Sequence, residues 1–380
     1  MNWNHKVRQH LVSALTLALA GSMVVGGVAS VASATTHHKK KKPVPAATVK
    51  VEIPPKASLT ETGSTLLYPL WNIWAPAYQS VFPQVSVTTG GTGSGTGIAD
   101  AASGTVNIGS SDAYLSPTQL TATPNLLNIP LGISYQMIAY NVTGVHTHLN
   151  LNGTVLAQIY QGTITNWNDP AIAALNPGAS LPNLPIVALH RSDGSGDTFI
   201  FTQYLSRTDA SWRNSVGFGT TVSFPTISNS LGEVGNGGMV SGCNATPGCI
   251  AYIGISFLSY VLNDALSYAA LRNGDGQFVV PTPKSAELES AAYQKLTPAS
   301  GTISMVNGRV KGGYPIVNYE YAIVNKRQAS ASTAKAVRSL LEWCINEKDG
   351  NSGQYLSQVR FDALPPSVRA QSAKQIHQIQ

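Results

Sequence analysis

Three times in this chain an apolar, strand-like run breaks into glycine and hydroxyl residues and resumes as a helix-forming segment. The turns are Gly63-Ser64-Thr65, Gly93-Ser94-Gly95 and Asp193-Gly194-Ser195-Gly196. This recurrence constrains the fold more than any bulk property does. A strand that turns straight into a helix is the building unit of parallel α/β sheets. Each such turn also leaves backbone N–H groups open at the positive end of a helix dipole, which suits an anion. The plainer reading of each turn is a capped helix with no ligand.

The third turn carries the most chemistry. Leu184 to Leu189 reads as a buried strand and Phe199 to Leu205 as a helix. Arg191, between them, is a fixed cationic fork suited to a tetrahedral oxyanion. No Lys or Arg occurs between Lys56 and Arg191, so this arginine stands alone in a long neutral and acidic stretch. The Gly90–Gly97 loop has no lysine after it, so it is not a Walker A loop, and its spacing is not that of a dinucleotide fingerprint. It offers the Ser94 hydroxyl and backbone N–H groups. Asp112 follows the strand Thr105–Gly109, at the carboxyl end where α/β proteins place ligands, or else simply caps a turn.

The remaining segments fit the same class. Apolar residues at a spacing of three and four predict a helix over Leu66–Phe82, with Ser64 or Thr65 as N-cap, Pro69 in the first turn, and Pro76 as a kink or break. Val85–Thr89 alternates as a strand, and Ile98–Ala102 reads as a small helix. Leu127–Asn141 and Gly313–Val324 are long strands, and Ile250–Ile253 is a short one. Leu151–Tyr160 and Ala331–Glu347 are helical. Residues 162–172 are turn-rich, and Gly232–Gly242 reads as a loose glycine stretch. Two long strands crossing between sheets predict two lobes with a cleft between them.

The N-terminus has an export signature: Lys6 and Arg8, an apolar run from Leu11 to Val28, and the cleavage motif Ala32-Ser33-Ala34. No cysteine lies near the cut, so no lipoprotein anchor forms there. A basic, proline-rich tail without a core pattern follows, including Lys39 to Lys42. The net charge of +6 comes from the leader and this tail; past Lys56 the chain is close to neutral. The charge therefore argues against nucleic-acid binding and for a basic leash. Cys243 and Cys249 flank a turn-forming insert and suit a disulfide in an exported protein, whereas no second cysteine pair completes a zinc site. Cys344 reads as a buried free thiol. No cofactor or metal is expected.

If the three turns converge, they supply many N–H and O–H donors, one Arg and the Asp112 carboxylate. An ionised carboxylate only accepts hydrogen bonds, so it repels a fully ionised oxyanion and welcomes a protonated one. That mixture points to phosphate over sulfate. At this point the chain resembles the phosphate-binding proteins of the high-affinity phosphate ABC transporter, the PstS family, and most of all its mycobacterial-type branch. The resemblance spans about residues 58 to 365. It rests on Thr62-Gly63-Ser64-Thr65, Gly93-Ser94-Gly95, Gly109-Ser110-Ser111-Asp112, Ile164 to Pro170, Arg191 to Gly196 and Tyr314 to Tyr319.

What the resemblance implies is a two-lobed, type II periplasmic binding protein of class α/β, each lobe a mainly parallel sheet flanked by helices. The implied phosphate ligands are Thr65, Leu66 through its N–H, Ser94, Asp112, Arg191, Ser195 and Gly196. Asp197 stands where many members have threonine; it joins the site as a second acceptor or turns away to cap its own helix. The implied layout is a signal peptide (1–34), a disordered tail (35–57), lobe 1 in two parts (58–140 and 315–370), lobe 2 (141–314) and a C-terminal tail (371–380). The expected partners are inorganic phosphate and the membrane subunits of an ABC permease. The expected state is an extracytoplasmic monomer that is not an enzyme. An exported phosphatase or serine hydrolase using Ser94 or Ser195, with His190 nearby, is the alternative.

Overall fold

The computed structural model describes residues 49–145 and 148–380; the signal peptide and residues 35–48 of the tail lie outside the described residues. Eight strands form the main sheet: β1 (Ala57–Gly63), β2 (Val85–Thr88), β3 (Ile108–Ser111), β4 (Leu126–Tyr140), β5 (Val187–Arg191), β6 (Ser230–Glu233), β7 (Cys249–Gly254) and β8 (Val317–Asn325). Their order is β2-β1-β3-β8-β4-β7-β5-β6, with Ser267–Tyr268 paired to β4 at the side. β1, β2 and β3 are parallel, as are β5, β6 and β7. The two long strands, β4 and β8, run antiparallel and tie the two parallel wings together. This is the mixed α/β, two-winged arrangement that the strand–turn–helix recurrence predicts.

All fifteen residues of β4 are buried. A strand covered on both faces needs no alternation, and its sequence is accordingly a near-continuous apolar run. Pro130 has no N–H to give the ladder, and the register with β8 shifts at Glu320/Tyr321, so that Glu320 faces Gly132 and Tyr321 faces Pro130.

Helix α1 (Tyr68–Val81) packs its wide apolar face inward. Trp71, Trp74 and Tyr78 are buried, and each polar tip is satisfied: Trp71 Nε1 by Ser110 Oγ at 2.7 Å, Trp74 Nε1 by the Gly350 carbonyl at 2.9 Å, Tyr78 Oη by Ser339 Oγ at 2.8 Å. Pro76 does not break α1, against expectation. It lies on the exposed face, as does Asn72, whose carbonyl loses the usual helical donor to Pro76. Helix α2 (Ser94–Ser103) starts four residues earlier than its apolar pattern indicates. It lies so close to the sheet that a Cβ on Gly97 would meet the Ser110 carbonyl at 2.7 Å and Gly63 Cα at 2.8 Å. Helix α3 (Gly196–Thr208) likewise starts at the turn itself.

Three further expectations fail. The glycine stretch is not loose: Gly235–Ala245 is a helix, α4. Met239, Val240 and Cys243 anchor it, and Cys243 is bonded to Cys249 of β7 as expected. Its glycines leave room for the Glu233 side chain, since a Cβ at Gly242 would meet Glu233 Oε1 at 2.6 Å. Residues 49–57 are not disordered tail. Glu52 N–H donates to Glu342 Oε2 at 2.8 Å, Asn346 Nδ2 to the Val49 carbonyl at 2.9 Å, and Arg338 pairs with Glu52 at 3.3 Å. The C-terminus is no free tail either. A helix, α5 (Pro366–Ile376), docks on β4 through Ser372 Oγ and the Pro130 carbonyl at 2.7 Å, and Gln380 N–H donates to the Lys326 carbonyl at 2.7 Å. Cys344 is buried and free.

Candidate functional site

The three turns meet. Gly95 N–H donates to the Gly194 carbonyl at 2.8 Å, and Gly93 N–H to the Gly63 carbonyl at 2.7 Å. Gly93 has φ +94°, and a Cβ there would strike Asp193 Oδ2 at 2.5 Å, so only glycine lets the second and third turns touch. A Cβ on Gly196 would fall 2.3 Å from Asp112 Oδ2 and 2.6 Å from Ser94 Oγ. Open backbone at the start of α3 thus faces a carboxylate and a hydroxyl directly.

Of the three turns only the third caps its helix with a side chain; α1 starts after Leu67 and not on Ser64 or Thr65 as N-cap, and α2 starts after Gly93, both without a side-chain cap. Ser64 Oγ accepts from Leu67 N–H at 2.9 Å and donates to Asp112 Oδ1. Ser195 Oγ accepts from Thr198 N–H at 3.1 Å as the cap of α3. Ser94 Oγ accepts from Asp112 N–H at 3.2 Å and lies 3.4 Å from Asp112 Oδ2. Leu66 is buried, and Ser256 Oγ donates to its carbonyl at 2.7 Å. Thr65 Oγ1 accepts from Asn236 N–H at 3.2 Å and Asn236 Nδ2 at 3.0 Å.

Arg191 is buried at the centre. Its Nε donates to Asp193 Oδ1 at 2.6 Å, its Nη2 bonds Asp193 Oδ2, and its Nη1 lies 3.3 Å from Asp197 Oδ2. The first α4 amide steadies the partner, with Gly235 N–H donating to Asp193 Oδ1 at 3.1 Å. Burial pushes the Asp193 carboxyl up, but its bonds to Arg191 and that cation's charge outweigh burial and hold it below the usual range. Arg191 is thus a cation already fixed in direction.

Asp197 does not cap its helix, because Ser195 holds that role. It is fully buried, with Oδ1 accepting from Gln136 Nε2 at 2.9 Å and Oδ2 from Asn236 Nδ2 at 2.6 Å. Burial, then repulsion from Asp112, pushes its carboxyl up to about 7, against the pull of Arg191, Gln136 and Asn236. Burial likewise raises Asp112, against hydrogen bonds from Glu320 and Ser64 and the charge of Arg191.

Of the eight residues named from the sequence, Ser94 and Gly196 lie against Asp112, Arg191 against Asp197, and Asn236 joins Thr65 to Asp197, whereas Leu66 and Ser195 stand next to Thr65 and Gly196 only by chain position. Sequence reasoning missed Ser64, Gln136, Asp193 and Asn236. Gln136 had a signal, as the polar interruption of an apolar strand. Asn236 had none, because it lies in the glycine stretch that hid a helix. His190 is turned elsewhere: its Nδ1 faces Ser230 Oγ at 3.0 Å and its ring packs on Phe224. Among the described residues neither Ser94 nor Ser195 has a histidine partner: Ser94 Oγ faces Asp112 and Ser195 Oγ caps α3. Among the described residues no group of three or more His, Cys, Asp or Glu is placed to hold a metal ion.

Residues 45–348 match the family described as a PBP superfamily domain. The phosphate-binding protein PstS of Xylella fastidiosa is 32% identical over 322 residues, covering 83% of this chain and 85% of that protein. The chain belongs to the PstS family of phosphate-binding proteins. PstS 2 of Mycobacterium tuberculosis, another relative, is 30% identical over 338 residues and covers 85% of this chain and 88% of that one. A phosphate-binding protein from Stenotrophomonas maltophilia shares the fold at a TM-score of 0.65, with 19% identity over 83% of this chain and 93% of that one.

Proposed function

We propose that the protein captures inorganic phosphate outside the cytoplasm and delivers it to the membrane subunits of an ABC importer. The observation that carries this reading is the convergence of three donor-rich turns on one buried Arg191 and two buried carboxylates. Donors and cation suit the oxyanion; the carboxylates demand that it carry protons, which phosphate has and sulfate lacks at neutral pH. The ligands are Thr65, Leu66, Ser94, Asp112, Arg191, Ser195, Gly196 and Asp197. In this reading the protein acts as a monomer and not as an enzyme, with Ser94 and Ser195 serving as ligands to phosphate. In the family's lobe scheme, residues 58–140 and 315–370 form one lobe, residues 141–314 the other, and the ligand bridges them.

Titration calorimetry with phosphate, sulfate and arsenate tests this. The expected result is one phosphate per chain, competition by arsenate, and no heat from sulfate. Comparable sulfate affinity would overturn the phosphate assignment, and turnover of a phosphate ester would overturn the non-enzymatic one.

A further inference from the structure

Glu320 lies in the middle of β8, among buried tyrosines and aliphatic residues, and is itself fully buried. Its Oε1 accepts from Ser134 Oγ and from Asn318 Nδ2 at 3.1 Å. Its Oε2 has no donor in reach. Beside it is Asp112: β8 pairs antiparallel with β3, with Tyr321 opposite Ser111, which brings Asp112 alongside Glu320. Asn318 ties the pair further, donating from Nδ2 to the Asp112 carbonyl at 3.2 Å, while Ser134 Oγ donates to Asn318 Oδ1 at 2.9 Å.

Two buried carboxylates side by side cannot both be ionised. One proton resolves both problems: it gives the orphaned Oε2 an O–H and gives Asp112 another donor. The surroundings decide which residue holds it. Asp112 has Ser64 Oγ and Ser94 Oγ against its oxygens, and the Arg191 charge acts on it. Glu320 faces only neutral Ser134 and Asn318 besides Asp112, and among the described residues it has no ion pair with Lys, Arg or His. The other charged groups of this core lie farther along: Arg191, Asp193 and Asp197 on the third turn, and Glu61 on β1, which bonds Ser110.

We propose that Glu320 is a positioning residue that stays protonated, donates to Asp112, and so keeps Asp112 an acceptor for a phosphate hydroxyl. The proposal rests on the phosphate reading above and adds to it the group that sets oxyanion discrimination. Burial first, then the Asp112 charge, raises the Glu320 carboxyl well above the glutamate range, which agrees with the geometry. Without that donor, buried Asp112 takes up a proton itself and becomes a donor, and the penalty against sulfate weakens.

The test compares Glu320→Gln and Glu320→Leu with wild type, measuring phosphate and sulfate affinity from pH 5 to pH 9. The Gln amide donates to Asp112 and its carbonyl accepts from Ser134 and Asn318. E320Q should therefore keep the phosphate-to-sulfate ratio and the pH profile, with phosphate affinity within about threefold of wild type. E320L should lose phosphate affinity by roughly tenfold or more, with the sulfate gap narrowed and the profile moved. E320Q behaving like E320L would overturn the proposal, because it would mean that an ionised glutamate is needed. E320L keeping the wild-type ratio and profile would reduce Glu320 to a packing role. An infrared difference between wild type and E320Q at pH 8 stands apart from binding and from the folding of E320L. It should show the carbonyl stretch of a protonated acid, and an ionised-carboxylate band in its place would overturn the proposal. Wild type failing to bind phosphate would instead sink the parent reading.

Discussion

Asp197→Thr should change how phosphate affinity depends on pH more than it changes affinity at low pH. In the free protein Asp197 titrates at about 7, held up by burial and by Asp112. Its cation, Arg191, is already engaged twice by Asp193, so Asp197 is only partly neutralised. Below pH 7 one proton is at hand for the complex, on Asp197 or on the phosphate monoanion. Above pH 7 both have lost it, and binding must draw a proton from solution. By linkage, each proton so taken up weakens binding about tenfold per pH unit, roughly 1.4 kcal/mol. The threonine hydroxyl brings its own donor, so the variant should take up about one proton fewer and its curve should be shallower by about one decade per pH unit between pH 7 and pH 9. Calorimetry in buffers of different ionisation enthalpy counts the protons directly. Equal proton uptake by the two proteins at pH 8 would refute the reasoning and leave Asp197 as a purely structural partner of Gln136 and Asn236.

Arg191→Ala should weaken phosphate binding by at least ~1.5–3 kcal/mol, the range for a hydrogen bond to a charged group, and should also lower Tm because Asp193 and Asp197 lose their cation; an unchanged Kd would contradict the site. Reducing the Cys243–Cys249 bond, which closes a loop of sequence separation 6, should cost about 2 kcal/mol of stability on the loop-entropy account. Alkylation of unfolded, unreduced protein should label Cys344 alone, and mass analysis showing three labelled thiols would refute the bond. Glu61 is a buried acid raised by burial from 4.5 to about 8. The folded state therefore holds its proton where the unfolded chain has released it, and stability should fall as pH rises from about 4.5 to about 8, at up to roughly 1.4 kcal/mol per pH unit. Glu61→Gln should flatten that part of the curve, as read from chemical denaturation at pH 5 and pH 8.5.

The elements that carried short-range signals were legible. Apolar runs ending in glycine and hydroxyl residues located β1, β3, β5 and the helices behind them, and the lone Arg191 located the centre of the site. Boundaries slipped where helices begin ahead of their apolar residues: α2 begins at Ser94 after Gly93, with no side-chain cap, and α3 begins at Gly196 behind the Ser195 cap, both inside turns that carry no apolar pattern. Helix α4 was illegible because its glycines argue against a helix locally, while Met239, Val240 and the bond to Cys249 secure it through tertiary contact. Asn236, which joins Thr65, Asp197 and the Gly254 amide, was lost with it. Residues 49–57 read as tail because their partners, Glu342 and Asn346, lie nearly three hundred positions away. Glu320 stood in plain sight as an acid within an apolar strand, but only the fold reveals that its neighbour is Asp112.

The pairing of β4 with β8 has a mechanical consequence. Residues 126–135 of β4 pair with β8 and residues 136–140 pair with β7, so the two strands form a ribbon that β4 alone carries on to the second wing. Such a ribbon is stiff against sliding, because sliding breaks the ladder, and it yields mainly to flexing across its flat face. Within the sheet the path from one wing to the other therefore runs through a single strand. Any movement that parted the second turn from the third would have to break the bond from the Gly95 N–H to the Gly194 carbonyl.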